Sequence, residues 1–157
     1  MTNEKTGAEI PSSVARTWVA VFDGGHAVVF ENEGFDDAPN LRAVFSADNG
    51  GAPTRDLGSD RGGRFRTPQG GHAAAETTDL HARQEHAFVE DIAARLEGFA
   101  YADKFDRLVV IAQSKWRSLL RHKAPTADAR ITAFYDGDFA RSPVSRIEEA
   151  FRAAVAP

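Results

Sequence analysis

Six consecutive residues, Arg61-Gly62-Gly63-Arg64-Phe65-Arg66, hold three arginines and one aromatic ring with no acid among them. Guanidinium groups grip phosphate through paired hydrogen bonds, an aromatic face stacks on an unpaired base, and glycine lets backbone amides come close to phosphate. The pattern points to RNA, with Arg55, Arg61, Arg64, Phe65 and Arg66 as contact residues. The same stretch carries its own counter-charges, because Asp48, Asp56, Asp60 and Glu76 equal Arg55, Arg61, Arg64 and Arg66 in number. A second reading therefore has Arg61 and Arg64 bridging to Asp56 and Asp60 and pinning the loop to the domain. Residue types alone fit both. Farther on, Lys115, Arg117, Arg121, His122 and Lys123 form a basic run without an acid. It either joins the arginine loop in one anion-binding surface or forms an ordinary solvated helix face.

Other chemistries lack a complete set of groups. Asp23, Asp136 and Asp138 sit where a two-metal nuclease gathers carboxylates, but the fourth strand ends in Gln113-Ser114 where such an enzyme needs an acid. Asp-Gly pairs at Asp23-Gly24 and Asp136-Gly137 are also ordinary turn formers. His81 with Glu85 and His86 with Glu90 have helical i,i+4 spacing and could share an ion with His72, yet no His-Glu-x-x-His motif is present. Hydrogen-bonded histidines are the expectation, with no metal site. Ser114 lies outside any Gly-x-Ser-x-Gly elbow and reads as a helix cap. The absence of Cys removes thiol catalysis, disulfides and thiolate metal sites. No cofactor is expected. A net charge of −4 and a pI near 5.7 argue against duplex DNA as the partner. No apolar run reaches the ~18 residues of a membrane span, and Glu4, Lys5 and Glu9 break any leader-like apolar core, so no membrane partner and a cytoplasmic location are expected.

These residues need a frame. The 157 residues suit one domain, with a flexible tail over residues 1–16 and a single α/β domain over 17–157. Trp18–Phe22 and His26–Phe30 are short apolar runs around Asp23-Gly24-Gly25, which reads as a β-hairpin, and Leu41–Phe45 supplies a third strand. From 47 to 78 the period fails in a long Gly/Arg-rich loop that holds seven of the 13 glycines. Leu80, Phe88, Ile92 and Leu96 then share one helical stripe, capped by Asp79 and stopped at Gly98. Phe105–Ala112 reads as a buried central strand, Ser114 opens a helix that carries Trp116, Leu119 and Leu120, Ile131–Tyr135 is the last strand, and Ser142-Pro143 opens a closing helix. Right-handed crossovers then give a mixed five-stranded sheet of order 3-2-1-4-5 with helices on both faces, a ribonuclease-H-like arrangement. Asp23, the start of the long loop, Gln113-Ser114 and Asp136 gather at one edge.

The stretch Arg55-Asp56-Leu57-Gly58-Ser59-Asp60-Arg61-Gly62-Gly63-Arg64 resembles the signature loop of the bacterial host attachment protein family. Trp18-Val19 with Asp23-Gly24-Gly25, Pro39-Asn40-Leu41, Asp79 with His81, and Phe105-Asp106-Arg107-Leu108-Val109 are similar to the same pattern, over about Trp18 to Val155. Gly62 stands where that loop usually has proline. The family is in turn similar to the middle domain of archaeal and eukaryotic peptide-chain release factors, whose basic loop before the long helix carries a Gly-Gly-Gln triplet. Here neither Gly62-Gly63 nor Gly70-Gly71 is followed by glutamine, and Gln69 precedes the second pair. What the resemblance implies is a non-enzymatic binding module that contacts ribosomal RNA, tRNA or the ribosome. The alternatives it implies are hydrolysis of peptidyl-tRNA or another ester, with Gln69 or His72 positioning water, and an indirect role in host-cell attachment.

Overall fold

The computed structural model describes residues 15–49 and 72–157, with side chains in the first long helix from Thr77 onward. The five strands are β1 (Thr17–Phe22), β2 (His26–Asn32), β3 (Leu41–Asp48), β4 (Arg107–Ala112) and β5 (Ile131–Asp136). They form one sheet of order β3-β2-β1-β4-β5, as expected. β1 pairs antiparallel with β2 and parallel with β4, and β5 extends the parallel side. Every residue of β1 is buried, which a strand in the middle of a two-faced sheet requires.

Alternation divides the core in two. Trp18, Ala20 and Phe22 with Leu108, Val110 and Ala112 face α1 (His72–Tyr101), a 3-10 turn at Ser114–Trp116, α2 (Arg117–Lys123) and α3 (Pro125–Asp128). Val19, Val21, Val109 and Ile111 face α4 (Val144–Val155), through Ile147, Ala150 and Phe151. β3 carries a bulge: Val29 pairs with Phe45 and Phe30 with Ala43, so Val44 is skipped and the strand changes face.

The long helix differs most from the sequence reading. It begins at His72, well before the expected cap at Asp79, and β3 reaches Asp48, so the aperiodic stretch is shorter at both ends. Ala73-Ala74-Ala75 are strong helix formers with no apolar stripe to reveal them. Phe88, Ile92 and Leu96 are buried as the stripe predicts, but Leu80 is 47% exposed. The reason is that α1 passes the sheet edge near Glu85, where a Cβ added to Gly24 of the β1–β2 turn would lie 2.8 Å from the Glu85 side chain. His72 to Gln84 lie beyond that edge, a projection of roughly 20 Å at ~1.5 Å per residue. Gly98 does not end the helix. Asp103 does, at φ 61°, with its amide bonded to Ala100 O at 2.9 Å and that of Lys104 to Phe99 O at 2.9 Å, a Schellman arrangement with aspartate in the place glycine usually holds.

Two capping expectations also shift. Ser114 lies inside the 3-10 turn rather than capping a helix, and Pro143, not Ser142, occupies the N-cap of α4. Arg16, assigned to the tail by sequence, is tied down: its backbone N donates to Asp106 Oδ2 at 2.7 Å, its Nη2 to Oδ1 at 3.0 Å, and its Nη1 to Asp103 O at 2.7 Å. Residues 1–14 and 50–71 lie outside the described residues.

The side-chain and then the backbone hydrogen bonds from Arg16 hold the Asp106 carboxyl below the usual aspartate range. A depressed folded value means the contact stabilises above the unfolded aspartate value of about 3.9 and fades as pH falls through the folded one. Urea melts of Asp106→Asn should therefore fall below wild type at pH 6 and converge with it near pH 2. Leu96→Ala, at a fully buried position, should cost about 2–5 kcal/mol at any pH in the same melts.

Candidate functional site

Parallel β1, β4 and β5 end on one side of the sheet, where open α/β sheets present their functional groups. β3 runs the same way, so Asp23, Asp48, Gln113 and Asp136 arrive together. Between the β1–β2 turn and the loop after β5 lies a cleft of about 260 Å³, lined by Asp23, Gly24, Gly25, Glu85, Gln113, Lys115, Trp116, Asp138 and Arg141.

Each wall has a local cause. Asp23 Oδ1 accepts the amides of Gly25 and His26, both at 2.8 Å, and so folds the hairpin turn. Asp136 Oδ1 accepts the amide of Ser114 at 2.8 Å and caps the 3-10 turn from a neighbouring strand. Asp48 Oδ1 holds His26 Nδ1 at 2.8 Å and lies 3.6 Å from Arg141 Nη2. Asn49 donates through Nδ2 to Gly24 O at 3.1 Å and to Gln84 O at 3.3 Å, clamping the end of β3 between the turn and α1. Asp138 is raised above the usual aspartate range, first by loss of water and then by the charge and hydrogen bond of Asp23, while Arg141 opposes the shift.

The basic run does not form one face. Lys115 lies over the Trp116 ring at 5.0 Å and lines the cleft, whereas the Arg117 guanidinium covers Phe134 at 4.8 Å. Lys123 sits 3.7 Å from Glu90, and Arg121 is exposed with no ion pair among the described residues. The run is divided because the 3-10 turn rotates Lys115 away from α2. His86 is 3.9 Å from Glu90, the pairing its i,i+4 spacing allows. Arg55, Arg61, Arg64, Phe65, Arg66 and Gln69 lie outside the described residues; His72 opens α1, and its side chain is not described. Arg141 is a cleft residue that residue types did not single out, and Glu85 was read only as a helical partner of His81. Topology could have found Arg141, since it follows the end of β5 by five residues.

The family model for proteins required for attachment to host cells matches residues 18–151. The chain belongs to this family. Every cleft-lining residue falls inside the matched span, so the family's pattern includes the whole edge. No curated protein matches the chain. Among the described residues of this family member, no helix is long and apolar enough to cross a membrane.

Because Asp136 works as a cap, Asp136→Ala should cost about 1 kcal/mol in denaturant melts. Amide exchange should quicken at Ser114 while the β1–β2 turn keeps its protection. Equal quickening at both places would show that the edge is held by something other than this bond.

Proposed function

We propose that this member of the host attachment family is a non-enzymatic binding module that takes structured RNA, in the form of ribosomal RNA, tRNA or the ribosome, through its arginine-and-glycine segment. The observation that carries the reading is the projection of α1. Its first residue, His72, begins roughly 20 Å of helix ahead of the Glu85 contact with the turn, and the sequence leading into it holds Arg55, Arg61, Arg64, Phe65 and Arg66. Thr77 to Gln84 are all exposed, so among the described residues no packing accounts for that reach. Carrying a basic and aromatic segment out to a large polyanion is a reason.

Lys115 and Arg141 at the cleft add positive charge to this edge of a chain whose net charge is −4. The release-factor likeness supports the same class of partner, since there too a basic loop precedes a long helix. In this reading the attachment role in the family's description is indirect, exerted from the cytoplasm on translation or on RNA. No constellation for hydrolysis is assembled by the described residues at the cleft, where Asp23 and Asp136 are committed to turn and cap.

The test is co-sedimentation of the purified chain with ribosomes and with total RNA between about 50 and 200 mM salt. Wild type should bind at low salt and release as salt rises. Replacing Arg61, Arg64 and Arg66 together by glutamine should reduce the log–log salt slope by roughly 2, at ~0.7 per phosphate contact on single strands. Unchanged binding by the triple variant would overturn the proposal. Product formation from peptidyl-tRNA that disappears in Gln69→Ala or His72→Ala would replace it with the hydrolase reading.

A further inference from the structure

The fold leaves several polar side chains at the edge cleft without partners. Glu85, Gln113, Lys115, Trp116 and Arg141 line this space of about 260 Å³ together with the β1–β2 turn. Asp23 is committed to the turn amides. Glu85 is half-buried and lies flat against the turn, where a Cβ on Gly24 would stand 2.8 Å from its Cβ, Cγ and Cδ. Glycine at position 24 is what lets that carboxylate in, yet it has no hydrogen bond or ion pair among the described residues. The Gln113 side chain has none either, and the Lys115 ammonium meets only the Trp116 ring, at 5.0 Å. Trp116 is 7% exposed, and its Nε1 is buried without an acceptor. Buried polar groups are normally paired, so unpaired groups around one cleft mark a place for a ligand that pairs them.

The set defines that ligand. A carboxylate only accepts, so Glu85 calls for N–H donors. Gln113 and the Trp116 N–H call for an acceptor nearby, and Lys115 and Arg141 for negative charge. Arg141 is exposed, and its contacts of 3.4 Å to Gly25 O and 3.6 Å to Asp48 Oδ1 leave room for a closer anion. Guanine carries two neighbouring donors, N1–H and N2–H, beside the acceptors O6 and N7, and its nucleotides add phosphate. Adenine would offer Glu85 one amino group next to an acceptor nitrogen, which repels a carboxylate. Asp138 is exposed, so salt and water weaken its repulsion of the phosphate. The volume falls just below the roughly 300–1,000 Å³ of sites that enclose drug-sized molecules, which suits one base and not two.

We propose that this cleft binds a single guanine nucleotide, with Glu85 accepting from the base N1–H and N2–H and with Lys115 and Arg141 facing its phosphate. The same chemistry comes from a free nucleotide or from an unpaired guanosine of an RNA. The site rests on the cleft alone and does not require the arginine segment.

The test is NMR on the full-length chain, reading the two indole N–H signals during titration with GMP and with AMP. Trp18 is the internal control: its Nε1 is unpaired too, but it packs against Phe99 and Phe105 at the end of β1 opposite the cleft. GMP should shift the Trp116 signal and leave that of Trp18, and AMP should bind at least about tenfold more weakly, within what one two-bonded base contact supplies. Glu85→Gln keeps the side-chain shape against Gly24 and should bring the two affinities within about threefold, because the paired acceptor is gone. If that variant does not fold, inosine monophosphate on wild type decides, since it lacks only the N2 amino group and should bind about tenfold more weakly than GMP. A Trp116 signal that ignores GMP at about 5 mM, above a millimolar Kd, would overturn the site. Equal affinities for GMP and AMP in wild type, or an unchanged preference in Glu85→Gln, would do the same. A single-stranded oligoadenylate with one guanosine separates the sources: if it shifts Trp116 the guanosine comes in an RNA, and if GMP alone does so the nucleotide is free. RNA binding through the arginine segment is read by co-sedimentation and the guanine site by Trp116, so each stands or falls separately.

Discussion

β1 and β4 lie side by side with Thr17 to Phe22 and Leu108 to Ala112 withdrawn from water. Their parallel pairing leaves no free face: one side of each strand packs under α1 and the short helices, the other under α4. A charged side chain in either strand would lose its hydration without a partner, at a cost of several kcal/mol. Polar chemistry is therefore confined to the strand ends. Because crossovers between parallel strands are right-handed, the carboxyl ends of β1, β4 and β5 collect on one edge, and β3 joins them after the hairpin reversal.

That edge is a mixed electrostatic surface. Asp23, Asp48, Asp136, Asp138 and Glu85 supply negative charge, and Lys115 and Arg141 answer it. Much of the negative charge already serves the fold, since Asp23 closes a turn, Asp136 caps a 3-10 turn and Asp48 holds His26. Hydrogen bonds from backbone amides to carboxylates fix these loops more firmly than neutral bonds would. The result is a stiff rim from which α1 projects. Glu85 against Gly24 and Asn49 against Gln84 are the contacts at which helix and rim meet, so the direction of the projection is set by the rim rather than by the helix alone.

Family membership and geometry bear on different questions. The match over residues 18–151 shows that the chain belongs to the proteins required for attachment to host cells, and the matched span takes in the residues of the cleft. The chemistry available to the edge comes from its own residues, Asp23, Glu85, Gln113, Lys115, Asp138 and Arg141 among them.

The strands, their order and the closing helix were legible in the residues, because the short apolar run Trp18–Phe22, the unbroken apolar run Leu108–Ile111 and the Ile147–Phe151 spacing report local burial, and burial is what such patterns encode. Asp23-Gly24-Gly25 announced its turn for an equally local reason. The start of α1 was hidden because the described residues Thr77 to Gln84 are exposed and so carry no stripe; Leu80 only mimicked one. Of the cleft, Lys115 was read from its charge and Glu85 as a partner of His81, whereas the approach of Arg141 to Gly25 and Asp48 emerges only when segments more than ninety residues apart close around one edge. Sequence by itself determined which residues leave water and hence the layered sheet, since hydrophobicity acts residue by residue. Tertiary structure decided which charges meet, because pairing between distant side chains depends on the direction in which each strand ends.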